Sequence, residues 1–243
     1  MNEETPETSP PVKKTEAITK LDSPHKITSL FEILLKSPLS LADHIHQSDN
    51  LASLNRSLLI ISIGSYAIFG IMLGCFSMHA QLFSAPLKFT IGIFLSAIIC
   101  FPSLYIFCCL TATSAKLKTI FTGLLSTLAL IGILLVGLAP IVWVFAQSTN
   151  SLGFMGILVL ISWVIAFGFG AHFLIKLIKH TGATSLKGTK IWAIIFLLVC
   201  LQMSTTLRPI LGRSDDFLTN EKRFFLQHWS KSIGEEIEDS EWQ

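Results

Sequence analysis

Between Asp49 and Asp215 the chain contains no aspartate and no glutamate, and all 16 of its acidic residues lie at or outside those two positions. A middle of that kind offers no paired carboxylates for general acid–base chemistry, no carboxylate ligands for a hard cation and no buried acid for a proton path. Charge is scarce throughout: 14% of residues are charged against 51% hydrophobic, at a mean hydropathy of +0.63. That balance excludes an ordinary soluble domain and fits a membrane protein. Also missing are HExxH, GxSxG and a glycine-rich phosphate loop; without these or a carboxylate pair, an intramembrane enzyme has no candidate residues. The expectation is a protein with no catalytic, cofactor-binding or metal residue.

Cysteine is sparse and badly placed for bridging or ligation. Cys75, Cys100, Cys108, Cys109 and Cys200 all fall in apolar runs, where a thiol behaves as a small hydrophobe. The adjacent Cys108 and Cys109 point about 100° apart on a helix, so they do not form half of a zinc site. His44 and His46, beside Asp43, lie about 200° apart on a helix, and metal binding is not expected of them. Apart from Lys176 and Arg208 at span ends, His172 is the one charged or imidazole side chain read inside a span; it sits near the span's end and reads as interfacial rather than as a proton carrier.

What the chain has is long apolar runs. Residues 89–113 carry no charge over 25 positions, and at about 1.5 Å per helical residue that run exceeds a hydrocarbon core of about 30 Å. Comparable runs occupy 57–78, 119–146, 153–178 and 191–208. The predicted fold is all-α: a polytopic bundle of about five transmembrane helices over 57–208. Gly70 and Gly74 give span one a face where another helix can approach closely, read as packing within the monomer rather than a dimer interface. Pro102 removes a backbone hydrogen bond and predicts a kink over 98–102, with Ser96 or Ser103 re-satisfying freed groups. Pro140 falls in the last third of span three. Gly168 and Gly170 are expected close-packing points in span four. Gln202, the most polar residue deep in span five, is expected to hydrogen-bond a neighbouring helix.

The flanks differ in kind. Residues 1–24 are too polar to offset ordering entropy and are predicted to be disordered; they also lack the apolar run of a signal peptide. Over 25–56, Ile27, Leu30, Phe31, Leu34 and Leu35 recur at helical spacing until Pro38, predicting a short amphipathic helix that lies in the headgroup layer or docks on the spans. Residues 209–243 predict a second amphipathic helix, carrying Phe217, Leu218, Phe224, Phe225 and Trp229, followed by an acidic tail.

Cations then orient the bundle. With the N-terminus cytoplasmic, Arg56, Lys116, Lys118, Lys176, Lys179, Lys187 and Lys190 fall inside and Lys88 outside, which the positive-inside rule favours. Arg208 is expected to snorkel at the end of span five before Pro209. It heads a group, with Arg213, Lys222 and Arg223, that would lie on the outer side and runs against the rule. Cations flanking apolar runs exclude a nucleic-acid surface.

A juxtamembrane helix ending in proline (FEILLKSP), a polar linker, five spans and a cationic turn after span two resemble the Yip1 family of five-span membrane proteins, over about residues 27–206. The Asp-Leu-Tyr-Gly-Pro signature of its eukaryotic members is absent; span two has Phe101-Pro102-Ser103-Leu104-Tyr105 instead. The segment QMSTTLRPILG is similar to a Q-M-x-x-x-L-R-P pattern of bacterial integral membrane proteins. What these resemblances imply is a protein of the bacterial cytoplasmic membrane, as no catalytic residue carries across. The expected function is non-enzymatic, acting through helix packing and partner or membrane organisation; the alternative is a small-solute permease or channel without ion coupling. Expected partners are the lipid bilayer, a membrane or cytoplasmic protein, and a second copy of the chain.

Overall fold

A computed structural model describes residues 27–36, 41, 45, 51–77, 81–111, 116–149, 152–183 and 185–206. The described residues are helical with no strand: α1 Ile27–Lys36, α2 Ala52–Ser77, α3 Gln81–Leu110, α4 Leu117–Ser148, α5 Leu152–His180 and α6 Lys187–Thr206. The expectations for 1–24 and 209–243, and for Asp43, His44, His46 and Arg208, lie outside these residues. Four helices are long and apolar enough to cross a membrane, over Ala52–Gly74, Ala85–Leu110, Leu117–Ser148 and Gly153–His180. The fifth predicted span falls on α6, which is helical but is not one of the four. Helix is what such sequences must form in lipid, since no water is there to satisfy a free N–H or C=O.

Side-chain contacts give the helix directions. Tyr66 of α2 reaches Leu128 of α4, while the starts of both helices, at Ala52 and Leu117, line one cavity; α2 and α4 therefore run parallel. Tyr66 on Phe89 with Gly70 on Pro86 makes α3 antiparallel to α2 and so to α4; Phe145 on Phe154 with Gly123 on Leu177 makes α5 antiparallel to α4; and Trp192 on Cys100 with Gly188 on Phe107 makes α6 antiparallel to α3. One end of the bundle thus collects the starts of α2, α4 and α6 and the ends of α3 and α5.

The hub is α4. It packs mainly on α2 and α5, while α3 bridges α2 and α6. Every residue from Thr122 to Ile133 is buried, which requires neighbours on all sides rather than on one stripe. The sequence makes 89–113 the clearest crossing, yet its helix, α3, is the least enclosed of the four. Absence of charge marks a lipid-compatible helix and says nothing about how many neighbours it has.

Short α1 docks across α2 and α4, with Leu30 and Leu34 fully buried and Phe31, Leu35 and Lys36 exposed. An exposed i,i+4 pair, Lys36 Nζ to Glu32 Oε1 at 2.6 Å, crosses its outer face. The helix start at Gln81 corrects one boundary: Pro86 and Lys88 belong to α3 and not to a loop, and Lys88 is only 4% exposed. The close approach of α2 to α3 accounts for this, since a Cβ on Gly70 would run into the Pro86 backbone. At the far end of α5, Gly182 takes φ +85° as the chain leaves the helix, with its N–H on Lys179 O at 3.2 Å; L side chains disfavour that left-handed conformation.

Candidate functional site

Buried hydroxyls are the first place to look for chemistry in such a bundle; Thr90 Oγ1 of α3 and Thr189 Oγ1 of α6 are buried without a partner, whereas five others bond within their own helices. Ser62 Oγ donates to Leu58 O at 2.8 Å, Ser96 to Gly92 O at 2.7 Å, Ser126 to Thr122 O at 2.8 Å, Thr127 to Gly123 O at 2.8 Å and Ser162 to Leu158 O at 2.9 Å. Each is an i−4 back-bond, a way to bury a hydroxyl without a partner helix or a substrate. Two longer-range bonds tie helices together. Tyr66 Oη donates to Leu128 O at 2.8 Å, and Trp192 Nε1 donates to Cys100 O at 2.8 Å. The sequence reading starts span five at Trp192 without assigning the indole this bond.

Aromatic rings fill the space between these ties. Trp163, Phe167, Phe196 and Trp192 form a continuous row from α5 into α6, with successive centroids 5.4, 5.8 and 5.1 Å apart. Tyr66 meets Phe89 and Phe94 edge-on at 6.0 and 6.1 Å, geometries that add modestly to the packing.

The residues singled out by sequence are dispersed. Gly70 meets Pro86 of α3, and Gly74 is buried in α2. Gly170 meets Ile131 and Thr127 of α4, whereas Gly168 is exposed with nothing within 4 Å of an added Cβ, so it is not a packing point. Pro102 and Pro140 lie on exposed faces of helices that continue through them. Ser103 Oγ does donate nearby, to Cys100 O at 2.7 Å, but the carbonyl four residues before Pro102 is that of Ile98. Gln202 is half-buried and engaged with a neighbour. Lys116, Lys118, Lys176 and Lys179 are exposed at the shared end of the bundle, and His172 is exposed on α5. Cys108 is buried and Cys109 exposed, and among the described residues no three His, Cys, Asp or Glu side chains cluster as a metal site.

One concave feature lies at the cation-bearing end. A cavity of about 390 Å³ opens where α2 and α4 begin, against the middle of α3. Leu51, Ala52 and Leu117 wall it with the edge-to-face pair Phe101 and Phe121, centroids 5.4 Å apart. Its polar side chains are Asn55 and Lys118. Asn55 Oδ1 is buried with no hydrogen-bond partner, and the start of α4 has no side-chain cap, its N-cap being Lys116. Sequence reading places Lys118 at the cytoplasmic turn but does not join it to Asn55, 63 positions earlier; only the parallel run of α2 and α4 does so. No known family, curated protein or solved structure matches the chain.

Proposed function

We propose that this is a non-enzymatic integral membrane protein that works by helix packing and by organising a partner or the membrane around it. The observation that carries this reading is an interior packed with rings and back-bonded hydroxyls, in which Thr90 and Thr189, on α3 and α6, are the two hydroxyls buried without a partner among the described residues. The aromatic row from Trp163 to Trp192 occupies the space between α5 and α6, and the buried Ser62, Ser96, Ser126, Thr127 and Ser162 direct their hydroxyls to their own helices rather than toward a shared polar path. A permease needs polar groups converging on broken helices near the midplane; Pro102 and Pro140 instead face outward.

The finer parts of the reading belong to the same proposal: five crossings with α6 as the fifth, a bacterial cytoplasmic membrane, an N-terminus on the cytoplasmic side, and kinship with Yip1-like proteins. What supports the orientation is that Arg56, Lys116, Lys118, Lys176, Lys179, Lys187 and Lys190 all belong to helix ends at one side of the bundle. Reconstitution into proteoliposomes, with cross-linking in native membranes beside it, tests the function. The expected result is no saturable solute flux together with a cross-linked partner. Saturable transport that is lost in Gln202→Leu would replace the proposal with a permease, and recovery of monomer alone after cross-linking would count against partner binding.

A further inference from the structure

We propose that the cavity between the starts of α2 and α4 binds the headgroup of an anionic phospholipid. Its volume of about 390 Å³ is in the range of small-ligand pockets, about 300–1,000 Å³. Among the described residues Lys118 is the only charged side chain in the lining, and a cation there suits a phosphate. Asn55 adds a complement of the other kind: its Oδ1 is buried without a partner, an acceptor suited to a hydroxyl of the headgroup.

The rest of the lining selects an amphiphile rather than a free anion. Phe101, Phe121, Leu51 and Leu117 form an apolar wall beside Lys118 and Asn55, as a glycerol backbone and the first methylenes of an acyl chain require. Position agrees: candidate spans begin at Ala52 and Leu117, so the cavity lies where a span ends and headgroups begin. The general cation excess at this end would draw any anionic lipid loosely. The cavity differs in being concave, in pairing a cation with an amide, and in having an aromatic wall. None of this depends on the role proposed above.

The experiment is lipid retention by the purified full chain in neutral detergent, read by native mass spectrometry while titrating phosphatidylglycerol, phosphatidylcholine or inorganic phosphate. One tightly held phosphatidylglycerol is expected, displaced by neither of the other two. Lys118→Ala and Asn55→Leu should each weaken retention about tenfold, the order of one hydrogen bond to the headgroup; Lys179→Ala, a cation outside the cavity, should weaken it less than twofold. Phe121→Trp, which fills the space and keeps Lys118 and Asn55, should also displace the lipid and guards against misfolding of a polar variant. Equal losses in Lys118→Ala and Lys179→Ala would mean diffuse surface attraction and overturn the site. Equal retention of phosphatidylcholine, or competition by millimolar inorganic phosphate, would overturn the assignment to an anionic phospholipid.

Discussion

Gly168 and Gly170 lie two residues apart in α5, and alanine should act oppositely at each. At Gly168 an added Cβ meets nothing within 4 Å; at Gly170 it would run into Ile131 Cγ1, come within 2.7 Å of Ile131 Cδ1 and 3.4 Å of Thr127 Cγ2. Favourable carbon contacts sit at about 3.5–4.0 Å, so Ile131, only 3% exposed, has to move in a space already filled. The helix-propensity gain of Gly→Ala, about 1 kcal/mol, is common to both sites and cancels in the comparison. What remains is overpacking, about 1–3 kcal/mol. Equilibrium unfolding in mixed SDS–detergent micelles should therefore find Gly168→Ala equal to or more stable than wild type, and Gly170→Ala less stable than Gly168→Ala by about 1–3 kcal/mol. Ile131→Val in the Gly170→Ala background should recover part of the loss, a coupling that separate sites would not show. Gly70→Ala should cost more than Gly170→Ala and resist such rescue, because its obstacle is the Pro86 backbone rather than a side chain. Equal stability of Gly168→Ala and Gly170→Ala would refute the α4–α5 contact.

Other perturbations follow from the same contacts. Trp192→Phe keeps most of the stack on Phe196 but leaves Cys100 O without the indole donor, and should cost about 0.5–1.5 kcal/mol in the same unfolding assay. Gly182→Ala has open space but keeps a left-handed φ; a loss of about 1–2 kcal/mol is expected, with hydrogen exchange quickening at the end of α5. Leu34→Ala should release α1 and raise its protease sensitivity, with a cost of about 2–5 kcal/mol, while exposed Leu35→Ala should stay within about 0.5 kcal/mol. The Lys36 ammonium hydrogen-bonded to Glu32 holds that carboxyl below the usual carboxylate range. Its small contribution to α1 is therefore present above the unfolded-state pKa and fades as pH falls through the lowered one, which helicity against pH in the Leu34 wild-type background would register. Single cysteines at Lys116 and Lys187 should label only after permeabilisation and one at Asn150 without it; the reverse pattern would invert the orientation.

The helices were legible because length and lack of charge are enough to specify one in lipid, but their neighbours were not, for a physical reason. In a bilayer both the packed face and the lipid face of a helix are apolar, so the periodicity that marks the buried side of a soluble helix fades. That is why Gly168 and Gly170 read alike, and why uncharged 89–113 looked central although α4 is the hub. Lys88 reads as a loop residue for its charge, when α3 already runs through it. Polarity carries the information that hydrophobicity loses. Ser62, Ser65, Tyr66 and the ring of Phe69 recur at i, i+3, i+4 and i+7, and all four are buried; on α4, Thr122 and Ser126 stand one turn apart, also fully buried. A weakly polar side chain avoids lipid even when its hydroxyl is back-bonded, so such a stripe marks a helix interface. Read that way, α2 and α4 each show a buried face in the sequence; that the two face one another comes from Tyr66 on Leu128, a pairing that also brings Asn55 and Lys118 together near the starts of the two parallel helices. The cavity is thus a consequence of the α2–α4 pairing, and disrupting that pairing should abolish lipid retention even with Lys118 and Asn55 intact. Gly132→Leu supplies this case, since a Cβ there already comes within 2.9 Å of Ser65 Cβ: it should lose the bound lipid along with stability, whereas Gly168→Leu, on the outer face of α5, should lose neither.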